Sequence, residues 1–141
     1  MLGQDTGINF SDIKSLENTN DFLKLVIDKG FGKVSDSDVY PNPITYALNY
    51  NKQTQDAEAW AVWYEAIKAF SFRFSLEDGK DLDYENIIKS IQSNCKFYNV
   101  VPWRTFDEIK YLCSNTEFVY IHYYIDIESG YGVIKTTNRR W

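Results

Sequence analysis

A single histidine, His122, and two cysteines, Cys95 and Cys113, are all the chain offers as soft metal ligands. A tetrahedral zinc site takes four such ligands at close spacing, so no metal is expected, and no motif points to a cofactor. No Gly-x-Ser-x-Gly elbow occurs, which removes the usual setting of an activated serine. Gly30-Phe31-Gly32-Lys33 lacks the spacing of a phosphate loop and follows a helix candidate instead of opening one. No apolar run nears the roughly 18 residues of a membrane-spanning helix, so membrane insertion is not expected. Fifteen basic residues face 20 acidic ones, a net charge of −5, and the only adjacent basic pair is Arg139-Arg140. That leaves no cationic face for nucleic acid.

Aromatic mass is what the chain has in quantity: eleven Tyr, nine Phe and four Trp, within a hydrophobic fraction of 44%. Such a composition excludes disorder, and 141 residues suit one domain spanning 1–141. The clearest pattern has a period of two. Phe70, Phe72, Phe74 and Leu76 alternate with Ser71, Arg73 and Ser75. Val119, Ile121, Tyr123, Ile125 and Ile127 alternate with Phe118, Tyr120, His122, Tyr124 and Asp126. Successive strand side chains point to opposite faces, so this beat means sheet with one face buried.

Residues 1–8 read as a tail, and Phe10, Ile13 and Leu16 as a short turn of helix. A helix is predicted from Thr19 to Lys29, capped by Asn20 or Thr19, with Asp21 in its first turn and Gly30 as the stop. Phe31 to Pro43 reads as a connection, Ile44 to Tyr50 as a strand and Asn51 to Asp56 as a polar turn. Residues 57–70 fit two patterns. Ala57, Trp60, Trp63, Tyr64 and Ile67 have helical spacing, whereas Trp60, Val62 and Tyr64 share a face with period two. Short connections between neighbouring strands favour the hairpin. A second helix follows Asp83 as its cap, with Tyr84, Ile87, Ile88, Ile91 and Cys95 as its stripe. Phe97 to Val101 is a short strand ended by Pro102. Thr105 to Glu108 spells a capping box for a helix over Phe106 to Cys113, while alternation of Ile109, Tyr111 and Cys113 spells a strand; both stay open. A strand from Phe118 to Ile127, a turn at Glu128-Ser129-Gly130 and a returning strand from Tyr131 to Thr137 finish the chain. The expected fold is α+β, an antiparallel sheet of about five or six strands with the two main helices on one face and the other face wet.

On that wet face the expected binding residues are Tyr120, His122, Tyr124 and Arg73, with Trp103 and Trp141 as further anchors. The bland reading of His122 is a partly exposed strand histidine without a chemical task. Glu77, Asp78, Asp81, Asp83 and Glu85 read as a solvated connection plus helix cap, since Asn86 stands where a calcium loop needs glycine. A Cys-His pair is formally available, but both cysteines sit in apolar settings that blunt a thiol. An even cysteine count with polar flanks at Ser93-Asn94 and Ser114-Asn115 favours a Cys95–Cys113 disulfide in an exported protein; in the cytoplasm they would be two buried thiols.

Four segments stand out together: Asn9-Phe10-Ser11-Asp12-Ile13-Lys14-Ser15-Leu16, Asp21-Phe22-Leu23-Lys24 to Gly30-Phe31, Tyr84-Glu85-Asn86-Ile87-Ile88-Lys89 through Ser93-Asn94-Cys95-Lys96-Phe97-Tyr98, and Ser129-Gly130-Tyr131-Gly132-Val133-Ile134-Lys135-Thr136. They resemble parts of small secreted proteins of Bacteroidota. The resemblance implies export and a helix–meander–helix–hairpin order, and carries no functional residue. Met1 to Gly7 reads either as a mature end after signal removal with an added start methionine, or as a frayed native start. The leading expectation is an exported, non-enzymatic module recognising a protein or glycan through exposed aromatics. One alternative is a cytoplasmic immunity-type or inhibitor protein whose acidic face masks a basic partner. Another is a small hydrolase using His122 with Asp126 and Glu128.

Overall fold

A computed structural model describes residues 6–76, 82–113 and 120–137. Three helices, α1 (Phe10–Lys14), α2 (Thr19–Asp28) and α3 (Leu82–Asn94), accompany eight strands among these residues. The strands are β1 (Gly32–Asp36), β2 (Pro43–Leu48), β3 (Ala59–Tyr64), β4 (Ala69–Ser75), β5 (Lys96–Pro102), β6 (Asp107–Leu112), β7 (Tyr120–Asp126) and β8 (Tyr131–Thr137). They form one antiparallel sheet in the order β1-β2-β3-β4-β8-β7-β6-β5.

The period of two builds the core. Ala59, Ala61 and Trp63 of β3 lie opposite Phe74, Phe72 and Phe70 of β4, so small side chains leave room for large ones. Onto this face α2 lowers Phe22, whose ring stacks 5.9 Å from Trp63 and meets Tyr46 edge-on at 6.1 Å. α3 adds Tyr84, Ile87 and Ile91, all buried, with the Tyr84 ring 6.0 Å from Phe74. Each such side chain stabilises the fold by roughly 1.5–3 kcal/mol through burial. Both main helices therefore cover the same face.

Residues 57–70 take the hairpin, because β3 and β4 share a buried face that a helix would break. Residues 107–112 are strand rather than helix: β6 is held between β5 and β7, and the capping-box acid Glu108 turns to His122 instead of a helix start. The sheet has eight strands where five or six were expected. One addition, β1, lies in the stretch read as a connection; it is an edge strand exposed at nearly every position, so it shows no apolar beat. The α2 cap is Asn18, whose side chain accepts from the Asp21 amide, not Thr19 or Asn20. Residues 6–8 are not a free tail. Ile8 is buried, and Thr6 donates its amide and its hydroxyl to Asp83 Oδ2, each at 2.6 Å. Asp83 accordingly sits inside the first turn of α3 and does not cap it. Residues 1–5, the acidic positions 77–81 and Trp141 lie outside the described residues.

The cysteines are joined: Cys95, at the end of α3, bridges Cys113, just past β6, with Cα atoms 4.5 Å apart. Neither is a free nucleophile. No described helix is long and apolar enough to cross a membrane.

Candidate functional site

Every second residue of the central strands faces away from the helices, and the register aligns these residues in rows. Lys110, His122, Lys135 and Ser71 follow one another across β6, β7, β8 and β4. The neighbouring row carries Tyr124, Val133, Arg73 and Trp60. A sheet face without helices would ordinarily be wet. Here it is not: His122 is 3% exposed, and Glu108, Lys110, Ser71, Tyr124 and Thr137 are buried as well.

His122 is tied down from one side. Its Nδ1 lies 3.3 Å from Glu108 Oε2, while Trp103 Nε1 donates to Glu108 Oε1 at 3.1 Å. Burial works to raise the Glu108 carboxyl, but the hydrogen bonds from His122 and Trp103, aided by the charges of Lys135 and His122, outweigh it and hold it down to about 2. Glu108 is thus an anion across the physiological range, and Nδ1–H donates to it. Nε2 is the other ring nitrogen; it is buried and has no hydrogen-bond partner among the described residues.

His122 forms part of the wall of a hollow of about 270 Å³, together with Arg73, Lys135, Ser71, Tyr64 and Ile67. The charged residues of this wall are all basic among the described residues. Among the described residues His122 Nε2 is one of the buried side-chain atoms without a partner; Thr136 Oγ1 is another, but Thr136 pairs with Phe70 and Ile121 and turns its side chain to the helix face. Arg73 also borders a second hollow of about 320 Å³ with Trp60, Tyr131, Gln55 and Val62. There Trp60 Nε1 donates to Tyr131 Oη at 3.2 Å, and Tyr131 Oη donates to the Ala57 carbonyl at 2.9 Å, so both rings are fixed. The two hollows meet at Arg73, whose Nη1 lies 3.9 Å from Asp126 Oδ2.

The expected site residues are partly gathered. His122 and Arg73 border the first hollow. Tyr124 shares their face but is sealed: Phe106 stacks on it at 4.2 Å, and Lys135 Nζ stands 5.0 Å over its ring. Trp103 is 56% exposed yet committed to Glu108. Tyr120 belongs to β7, paired with Thr137. The carboxylate against His122 is Glu108; Asp126 is engaged by Arg73 and by the turn amides of Glu128 and Ser129, and Glu128 is exposed in that turn. Glu108 and Lys135 were missed because their partners are distant in sequence. The aromatic contributors Trp60 and Tyr64 do carry a signal, the shared face of the period-two reading.

A separate apolar groove of about 380 Å³ lies on the helix side, lined by Ile88, Ile109, Tyr123, Ile125 and Ile127. Among the described residues no three His, Cys, Asp or Glu side chains gather as a metal site. Compared with protein-family models, curated proteins and solved structures, the chain matches none.

Proposed function

We propose that the protein is an exported binding module, without catalytic activity, that holds a glycan along the helix-free face of its sheet. The observation that carries this reading is the pair of hollows meeting at Arg73. A chain of sugar rings offers C–H faces and many hydroxyls. Tyr64, Trp60 and Tyr131 provide aromatic surface for the first, and Ser71, Gln55 and Arg73 provide hydrogen bonding for the second. The Cys95–Cys113 bridge supports export, because such bonds persist in oxidising compartments. No Asp or Glu among the described residues lines the first hollow, Glu108 lying behind His122, which favours holding over the two-carboxylate cleavage of a glycosidic bond. Calorimetric titration with a panel of neutral and acidic oligosaccharides tests the reading. At least one is expected to bind, and Trp60→Ala or Tyr64→Ala should weaken it about tenfold. A folded protein that binds none would overturn it.

The helix-side groove favours a second reading, a protein partner. Ile125 and Ile127, 47% and 73% exposed, line it, an apolar surface of the kind that marks protein contacts. With a net charge of −5, a basic partner is the better complement, as an inhibitor or immunity-type protein requires.

A further inference from the structure

The chain is acidic overall, yet Arg73, Lys135 and His122 make the charged wall of the first hollow wholly basic among the described residues. A local inversion of this kind concentrates anions. His122, in the same wall, holds a buried ring nitrogen, Nε2, without a partner among the described residues. Such atoms cost free energy unless something meets them. Because Glu108 occupies Nδ1, only Nε2 remains to meet a ligand.

Building on the glycan reading, we propose that this hollow seats the carboxylate of an acidic sugar, a uronic-acid unit, with the rest of the chain running past Arg73 toward Trp60. The carboxylate takes charge-assisted hydrogen bonds from Lys135 and Arg73, and a hydroxyl of the same sugar donates to Nε2 of His122, the ring nitrogen that Glu108 leaves over. The ionised groups around the imidazole are Glu108 and Lys110 from β6, Lys135 from β8 and Arg73 from β4. Tyr64 and Ile67 supply the less polar wall against which the sugar ring lies. The hollow of about 270 Å³ is at the small end of ligand pockets, which suits one sugar unit rather than a larger group.

The experiment compares a short oligogalacturonate with its methyl ester, which has the same skeleton and no charge. The acid is expected to bind about tenfold more tightly, with the advantage shrinking at high salt. Lys135→Gln should remove most of that advantage and leave the affinity for the ester within about twofold, whereas Arg73→Gln should weaken acid and ester alike. Equal binding of acid and ester would overturn the carboxylate site while leaving the glycan reading intact. Binding of neither, with other oligosaccharides bound, would also overturn it; binding of no oligosaccharide at all would overturn both.

Discussion

Gly132 of β8 has no side chain because the ring of Tyr84 fills that place: a Cβ there would stand 2.7 Å from Cε1 and 2.8 Å from Cζ. The ring cannot step aside, since Tyr84 Oη donates to the buried carbonyl of Tyr124 at 2.8 Å. One glycine thereby locks α3 onto the sheet that carries the site. Gly132→Ala is expected to destabilise the protein by roughly 1–3 kcal/mol through overpacking. Urea unfolding measures it, and a double variant with Tyr84→Leu should lose less than the two single losses added together.

Glu108 gives the fold an acid sensitivity of known sign. Its carboxyl is held down to about 2 from an ordinary 4.5, so its stabilising contribution is whole above pH 4.5 and disappears as pH falls toward 2. That contribution is on the order of 1–2 kcal/mol, since burial of the carboxylate offsets part of what its hydrogen bonds supply. Glu108→Gln should therefore be less stable than the wild type by this amount at neutral pH, and the gap should close between pH 4.5 and 2. Unfolding curves across that range read it directly.

The Cys95–Cys113 bridge spans 18 positions and pins the start of β5 to the end of β6. Replacing both cysteines by alanine is expected to remove about 3 kcal/mol by the chain-entropy argument. The urea midpoint should fall and the slope of unfolding free energy against urea should rise, because the denatured chain without the bridge exposes more surface.

At the head of α2, Asn18→Ala should cost about 1 kcal/mol, because its side chain accepts from the Asp21 amide at 2.9 Å. Asn20→Ala, a change at a position already inside the helix, should cost less than about 0.5 kcal/mol. Thermal unfolding of the two variants distinguishes the caps.

These cases mark where local sequence suffices and where it does not. Phe70, Phe72 and Phe74 announce β4 because its core face is dry and every second residue meets Trp63, Phe22 or Tyr84. The final hairpin is equally plain, with Gly130 at φ 74 supplying a turn conformation that other residues resist. β1 leaves no such trace, since an edge strand with exposed residues needs no apolar alternation. β6 reads both ways because Thr105 to Glu108 mimics a helix start; long-range pairing decides against it. His122 stood out as the lone histidine, but its burial and its bond to Glu108 depend on strands fourteen positions apart being brought into register. Lys135 enters the site through the same register, which periodicity alone does not give.

Amide chemical-shift mapping during titration with a bound oligosaccharide tests the central claim most directly. Shifts concentrated at Val62, Ser71, Arg73, His122 and Lys135 are the result this account predicts. Shifts confined to Ile88, Ile109, Ile125 and Ile127 would place the ligand in the helix-side groove and contradict it.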